Sequence, residues 1–181
     1  MEIRIVPVGA VDRNLLEYLA LTLPDRFGRP CVEVSVHLDT ADSYDRKRQQ
    51  YHSTLLLARL RQAGGADGAR ILGVTDLDLF IPIFTFVFGE ALVGGCAALI
   101  STRRLRQEFY GLPPDTRLLF ARAEKEAIHE LGHAFGLAHC RSFDCVMRFS
   151  NSVEQVDSRP DHFCLSCEAT LESRSGSILA A

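Results

Sequence analysis

No stretch of the chain approaches the roughly 20 consecutive apolar residues needed to cross a bilayer, which excludes a membrane-spanning helix. Neither sign of charge dominates. A formal net charge of -3 gives no electrostatic footprint for a polyanion, so nucleic acid is not an expected partner. The basic run Arg46-Lys47-Arg48 reads as one solvated helix face. The first residues lack the charged-then-apolar layout of a secretory signal, which points to a cytoplasmic protein. Internal repeats and low-complexity linkers are also missing. Methionine is scarce, occurring only twice.

What remains is an ordinary globular composition, 47% hydrophobic and 24% charged over 181 residues. That length suits a single domain over residues 1–175, expected as a monomer, with residues 176–181 as a disordered tail. Strand-like runs fall at residues 3–8, 31–38, 70–75, 84–88 and 96–101. The second of these alternates strictly, with Val32, Val34, Val36 and Leu38 on one face. Helical spacing between the first two runs predicts a helix over residues 11–23, ending before Pro24. A longer one is predicted over residues 43–62, stopping at Gly64-Gly65. Alternation of strand and helix implies right-handed parallel crossovers. The expected fold is therefore α/β, a twisted and mostly parallel five-stranded sheet packed by helices. The strand at residues 84–88 comes after its neighbour without a helix between them and is expected to be an antiparallel edge, able to bind extended peptide through Phe84, Thr85, Phe86, Val87 and Phe88. Residues 1–112 form this sheet-rich part. Residues 113–175 hold a third helix, capped by Asp115, and the cysteine-bearing segment beyond it.

The third helix carries the chemistry. His129-Glu130-Leu131-Gly132-His133 places two imidazoles four residues apart, offset by only about 40° around the axis, so both can reach one ion. Glu130 is turned about 100° from His129, which leaves its carboxylate free to act as a general base toward a water molecule. The pattern runs on through Ala134-Phe135-Gly136-Leu137-Ala138-His139. Gly136 suits the helix stop, because glycine takes left-handed angles without steric cost, and the chain can then return His139 as a third ligand. Three histidines with an open fourth position fit a catalytic zinc. Four of the six cysteines, Cys140, Cys145, Cys164 and Cys167, crowd into the last quarter of the chain. Two such pairs satisfy a closed tetrahedral thiolate site, with disulfides the alternative reading. Cys31 and Cys96 read as small buried hydrophobes, and His37, His52 and His162 as packing or surface residues.

The extended histidine motif, with Met147 eight residues after His139, resembles the metzincin zinc peptidases, which carry a methionine turn below the metal. With Cys140 adjoining His139 and the remaining cysteines beyond, the chain resembles the archaemetzincins in particular. That resemblance implies two zinc ions per chain: a catalytic one on His129, His133 and His139, and a structural one on the four cysteines. It also implies a Met-turn at Met147, hydrolysis of a peptide or protein substrate with Glu130 as base, and a metzincin-like arrangement of the C-terminal region. Two readings from other classes are a catalytically weak or inactive zinc-stabilised peptide-binding module, against which Glu130 argues, and a zinc-finger-like nucleic-acid binder, against which the charge argues.

Overall fold

The computed structural model describes residues 2–63 and 68–177. In chain order the elements are β1 (Ile3–Val8), α1 (Arg13–Phe27), β2 (Cys31–Glu33), β3 (Tyr44–Asp45), β4 (Gln50–His52) and α2 (Ser53–Ala63). They continue with β5 (Arg70–Thr75), β6 (Leu79–Phe80), β7 (Gly89–Ala91), β8 (Ala97–Ser101), α3 (Thr116–Ala134), α4 (Val153–Ser158) and α5 (Leu165–Ser177). The main sheet has five strands in the order β2-β1-β5-β8-β7. All pairings are parallel except β7 on β8, so the antiparallel edge expected from the sequence is present.

Strand alternation sorts the core into two layers. Ile3, Ile5, Leu72, Val74, Ala98 and Ile100 face α1 and α3, whereas Val6, Val8, Ile71, Ala97 and Leu99 face Leu56, Leu57 and Leu60 of α2. The helix bearing His129 and His133 packs on the first of these layers.

Five local expectations need correction. The edge strand forms at Gly89–Ala91 rather than at residues 84–88; only Val87 makes an isolated antiparallel bridge, to Leu79. The segment before β7 is instead pinned as a loop, with Arg48 Nη1 donating to the Phe84 carbonyl and Gln50 Nε2 to the Thr85 carbonyl, both at 3.0 Å. The alternating run at residues 31–38 stays paired only to Glu33, with Val34 N–H still reaching the Ile5 carbonyl at 2.9 Å before the chain leaves the sheet. Helix α1 passes through Pro24 to Phe27, because buried Phe27 stacks on Phe135 and meets Phe163 edge-on, and Gly28 in the left-handed region closes the end. The helix predicted over residues 43–62 starts at Ser53. Residues 44–52 instead form a β3–β4 hairpin joined to β6. Its predicted stop at Gly64-Gly65 lies outside the described residues. At the C-terminus α5 is helical to Ser177, past the start of the predicted tail, and residues 178–181 also lie outside the described residues.

Candidate metal centre and cleft

Asp115 caps α3, its Oδ1 accepting from Leu118 N–H at 2.9 Å, as the sequence suggests. Leu119, Ala123, Ala127, Ile128, Leu131 and Ala134 bury one side of the helix against the sheet and α1. The helix ends in a Schellman arrangement: Gly136 takes φ 96°, its N–H donates to His133 O at 2.8 Å, and Leu137 N–H donates to Gly132 O at 2.9 Å. The chain thus reverses where Gly136 permits it. A Cβ there would also collide with the guanidinium of Arg174, 2.1 Å away.

This reversal brings His139 back beside His129 and His133. Their candidate ligand atoms lie within 4.8 Å of one another. His129 Nδ1 is bonded to the Val146 carbonyl and His133 Nδ1 to the Leu137 carbonyl, each at 2.8 Å, which assigns the protons to Nδ1 and turns both Nε2 atoms inward. Those two Nε2 atoms are 3.2 Å apart. Tetrahedral zinc with Zn–N near 2.0–2.1 Å requires about 3.3–3.4 Å between ligand nitrogens. The donor set therefore fits zinc. Burial, first of all, holds the imidazoles of His129, His133 and His139 below their ordinary pKa, so the neutral, ligating form prevails at neutral pH.

Beneath the histidines Cys145-Val146-Met147-Arg148 forms a tight turn closed by Arg148 N–H to Cys145 O at 3.1 Å. Fully buried Met147 sits directly against Gly132, where a Cβ would stand 2.4 Å from the sulfur. Glycine at that position of α3 is thus required by the methionine below it. The turn also supplies the Val146 carbonyl that orients His129, and Cys140 N–H donates to Met147 O at 2.9 Å.

The four cysteines gather just beyond, their sulfurs all within 4.8 Å, with Cys140 and Cys164 at 3.9 Å. Four thiolates at about 2.3 Å from a tetrahedral zinc stand about 3.8 Å apart, so this set also fits the metal. None is in a disulfide. Cys164 directly precedes α5, and the Cys167 N–H holds its thiol below the usual value, as expected at a helix N-terminus. His162 bonds Asp144 and lies outside this group.

A cleft of about 760 Å³ opens over the histidines. Phe84 to Ala91 form one wall, so the five residues expected to bind peptide do line it, although as a loop leading into β7. Phe149, Ser150 and Asn151 form the other. Glu130 projects into this space beside β7: a Cβ on Gly89 would lie 2.6 Å from Glu130 Cγ. Burial raises its carboxyl well above the ordinary range, with the Glu126 and Glu90 carboxylates adding to the effect. The sequence reading missed two charged residues here, Glu126 and Arg159. Arg159, wholly buried, donates to Glu126 Oε1 at 2.6 Å and lies 3.1 Å from His129 Nδ1. Glu126 had a signal, a set of charges at 122, 125 and 126 in helical register with His129 on a helix whose second half is buried; Arg159 had none.

Known structures share this architecture. The archaemetzincin of Methanopyrus kandleri is 33% identical and superposes with a TM-score of 0.85 over 97% of this chain and 96% of its own. The archaemetzincin of Archaeoglobus fulgidus, determined with malonate, is 38% identical at a TM-score of 0.81, over 94% of this chain and 99% of its own. A zinc-dependent peptidase of Methanocorpusculum labreanum is 28% identical at 0.84, over 93% and 99%. The class these likenesses define is that of the zinc metallopeptidases, which hydrolyse peptide bonds. Sequence comparison narrows it. The archaemetzincin of Methanocaldococcus jannaschii is 42% identical over 178 residues, spanning 96% of this chain and 94% of the relative. The sequence model of peptidase family M54 matches residues 13–173, and the chain belongs to that family.

Proposed function

We propose that His129, His133 and His139 hold a catalytic zinc, that Glu130 is the general base of peptide hydrolysis, and that Cys140, Cys145, Cys164 and Cys167 hold a second, structural zinc. The observation that carries this is the convergence of three inward-facing imidazoles with a buried carboxylate at the floor of one cleft. Zinc, when bound, supplies a Lewis acid that polarises the substrate carbonyl and lowers the pKa of its water to about 7.

The chain's own residues do the rest. Glu130 accepts a proton through a carboxylate that burial makes unusually basic and later returns it to the leaving amine. Met147 packs under Gly132 and keeps the histidine-bearing turn in place, the part of a Met-turn. β7 presents an unpaired edge, so an extended substrate gains main-chain hydrogen bonds along Gly89–Ala91 while Phe84, Phe86 and Phe149 enclose its side chains. No helix among the described residues is long and apolar enough to cross a membrane. Six cysteines outside any disulfide suit a reducing compartment, and on that ground we place the activity in the cytoplasm.

Digestion of a peptide library by zinc-loaded protein tests this reading. Discrete new termini are expected. Peptides retained but uncut after prolonged incubation would instead identify a zinc-stabilised binding module.

A further inference from the structure

Helix α3 carries a second stripe, on the side away from the sheet. Arg122, Lys125, Glu126 and His129 succeed one another at helical spacing, and each engages the end of the short helix α4 or the residue after it. Arg122 Nε and Nη2 grip both carboxylate oxygens of Asp157 at 2.7 Å. Lys125 Nζ donates to the carbonyls of Val156 at 3.2 Å and Asp157 at 2.9 Å. The last contact is Arg159, whose side chain is fully buried.

Arg159 touches three parts of the metal centre at once. Nη2 donates to Glu126 on α3, and Nη1 donates at 3.1 Å to the carbonyl of Arg148, the residue that closes the Met147 turn. Nη1 also lies 3.1 Å from His129 Nδ1. That nitrogen already gives its proton to the Val146 carbonyl, so the approach of Nη1 to it is a close contact rather than a second hydrogen bond. The Arg159 Nε–H meanwhile has no partner among the described residues. A buried guanidinium that leaves a donor unsatisfied is poorly explained as core filling.

We infer that Arg159 is a positioning residue: it locks helix α3, the imidazole of His129 and the turn that supplies Val146 into one arrangement, and so sets the metal affinity of the histidine site. The inference rests on the functional reading above. Planar donors on two edges are needed to reach both sides at once, which a lysine cannot provide.

The test compares Arg159→Met, Arg159→Lys and the double variant Glu126→Leu/Arg159→Met, each as the full zinc-loaded chain. Chelator competition gives the affinity of the histidine site, the cobalt-substituted absorption spectrum reports its ligand geometry, and retention of the cysteine-site zinc with the thermal transition reports folding. The double variant removes both buried charges and is expected to fold, since such pairs are often replaceable by apolar residues. It should still bind histidine-site zinc about 10- to 100-fold more weakly, with an altered cobalt spectrum. Arg159→Lys, which keeps the charge opposite Glu126, should show the same direction of loss. Parental affinity and spectrum in a folded double variant, or in Arg159→Lys, would overturn the inference and leave Arg159 as a mere counter-ion. A parent protein that binds no zinc at the histidines would refute the functional reading itself, a result distinguishable from either.

Discussion

Substituting Gly132→Ala tests whether the Met147 turn is mechanically joined to the helix that carries His129 and His133. A Cβ at Gly132 would sit 2.4 Å from Met147 Sδ, 3.2 Å from its Cε and 3.3 Å from Phe163 Cε1. Non-bonded carbon and sulfur atoms prefer roughly 3.5–4.0 Å, so the sulfur must retreat by about 1 Å or more. Met147 and Phe163 are both buried, which leaves little room for that. Overpacking of this kind costs about 1–3 kcal/mol, and the better helix propensity of alanine returns up to about 1 kcal/mol. Net destabilisation of about 1 kcal/mol is therefore expected from urea titration of the zinc-loaded protein. The functional effect should be larger. Moving Met147 disturbs both the Cys140 N–H bond to its carbonyl and the neighbouring Val146 carbonyl that orients His129, so zinc affinity should fall about 10-fold or more. Adding Met147→Ala makes space for the new methyl group, and a double-mutant cycle should then show coupling of about 1 kcal/mol or more. Strict additivity, or a Gly132→Ala protein that is more stable with unchanged zinc affinity, would refute the argument.

The same geometry sets other outcomes. Burial raises the Glu130 pKa in the folded protein, so this group's ionisation destabilises the metal-free fold: its contribution is unimpaired below the unfolded value of about 4.3 and is lost as pH rises toward the folded value. Glu130→Gln should therefore raise the thermal midpoint of zinc-free protein more at pH 8 than at pH 5, and equal shifts at both would contradict the burial. Gly89→Ala pushes a methyl group into Glu130 Cγ and the Leu99 carbonyl, 2.6 and 2.7 Å away, so steady-state kinetics should show kcat reduced up to about 100-fold. Purified protein should carry two zinc ions per chain by elemental analysis, falling to one in Cys164→Ser/Cys167→Ser. Because Cys140 adjoins His139, that variant should also hold its remaining zinc about 10- to 100-fold less tightly; undiminished affinity would mean that the two sites are independent.

The convergence of His129, His133 and His139 was legible because metal chemistry constrains residue type and spacing together, and Gly136 stands where the chain has to turn back. The five-stranded sheet was legible for a related reason, since alternating elements restrict topology. The edge strand was displaced because Phe84–Phe88 has strand composition, while side chains distant in sequence, Arg48 and Gln50, capture its carbonyls. Pro24 has the local character of a terminus, but packing of Phe27 against Phe135 outweighs the break. Arg159 was invisible for the opposite reason: a single arginine after a short helix carries no local pattern, and its meaning depends on a partner 33 positions earlier.

The central claim is that Glu130 moves a proton and does not bind metal. It is tested most directly by measuring zinc content and the cleavage rate of one identified peptide in the same samples of parent and Glu130→Ala protein. Two zinc ions in both, with cleavage only in the parent, is the predicted result. An active variant, or one that has lost the histidine-site zinc, would contradict it.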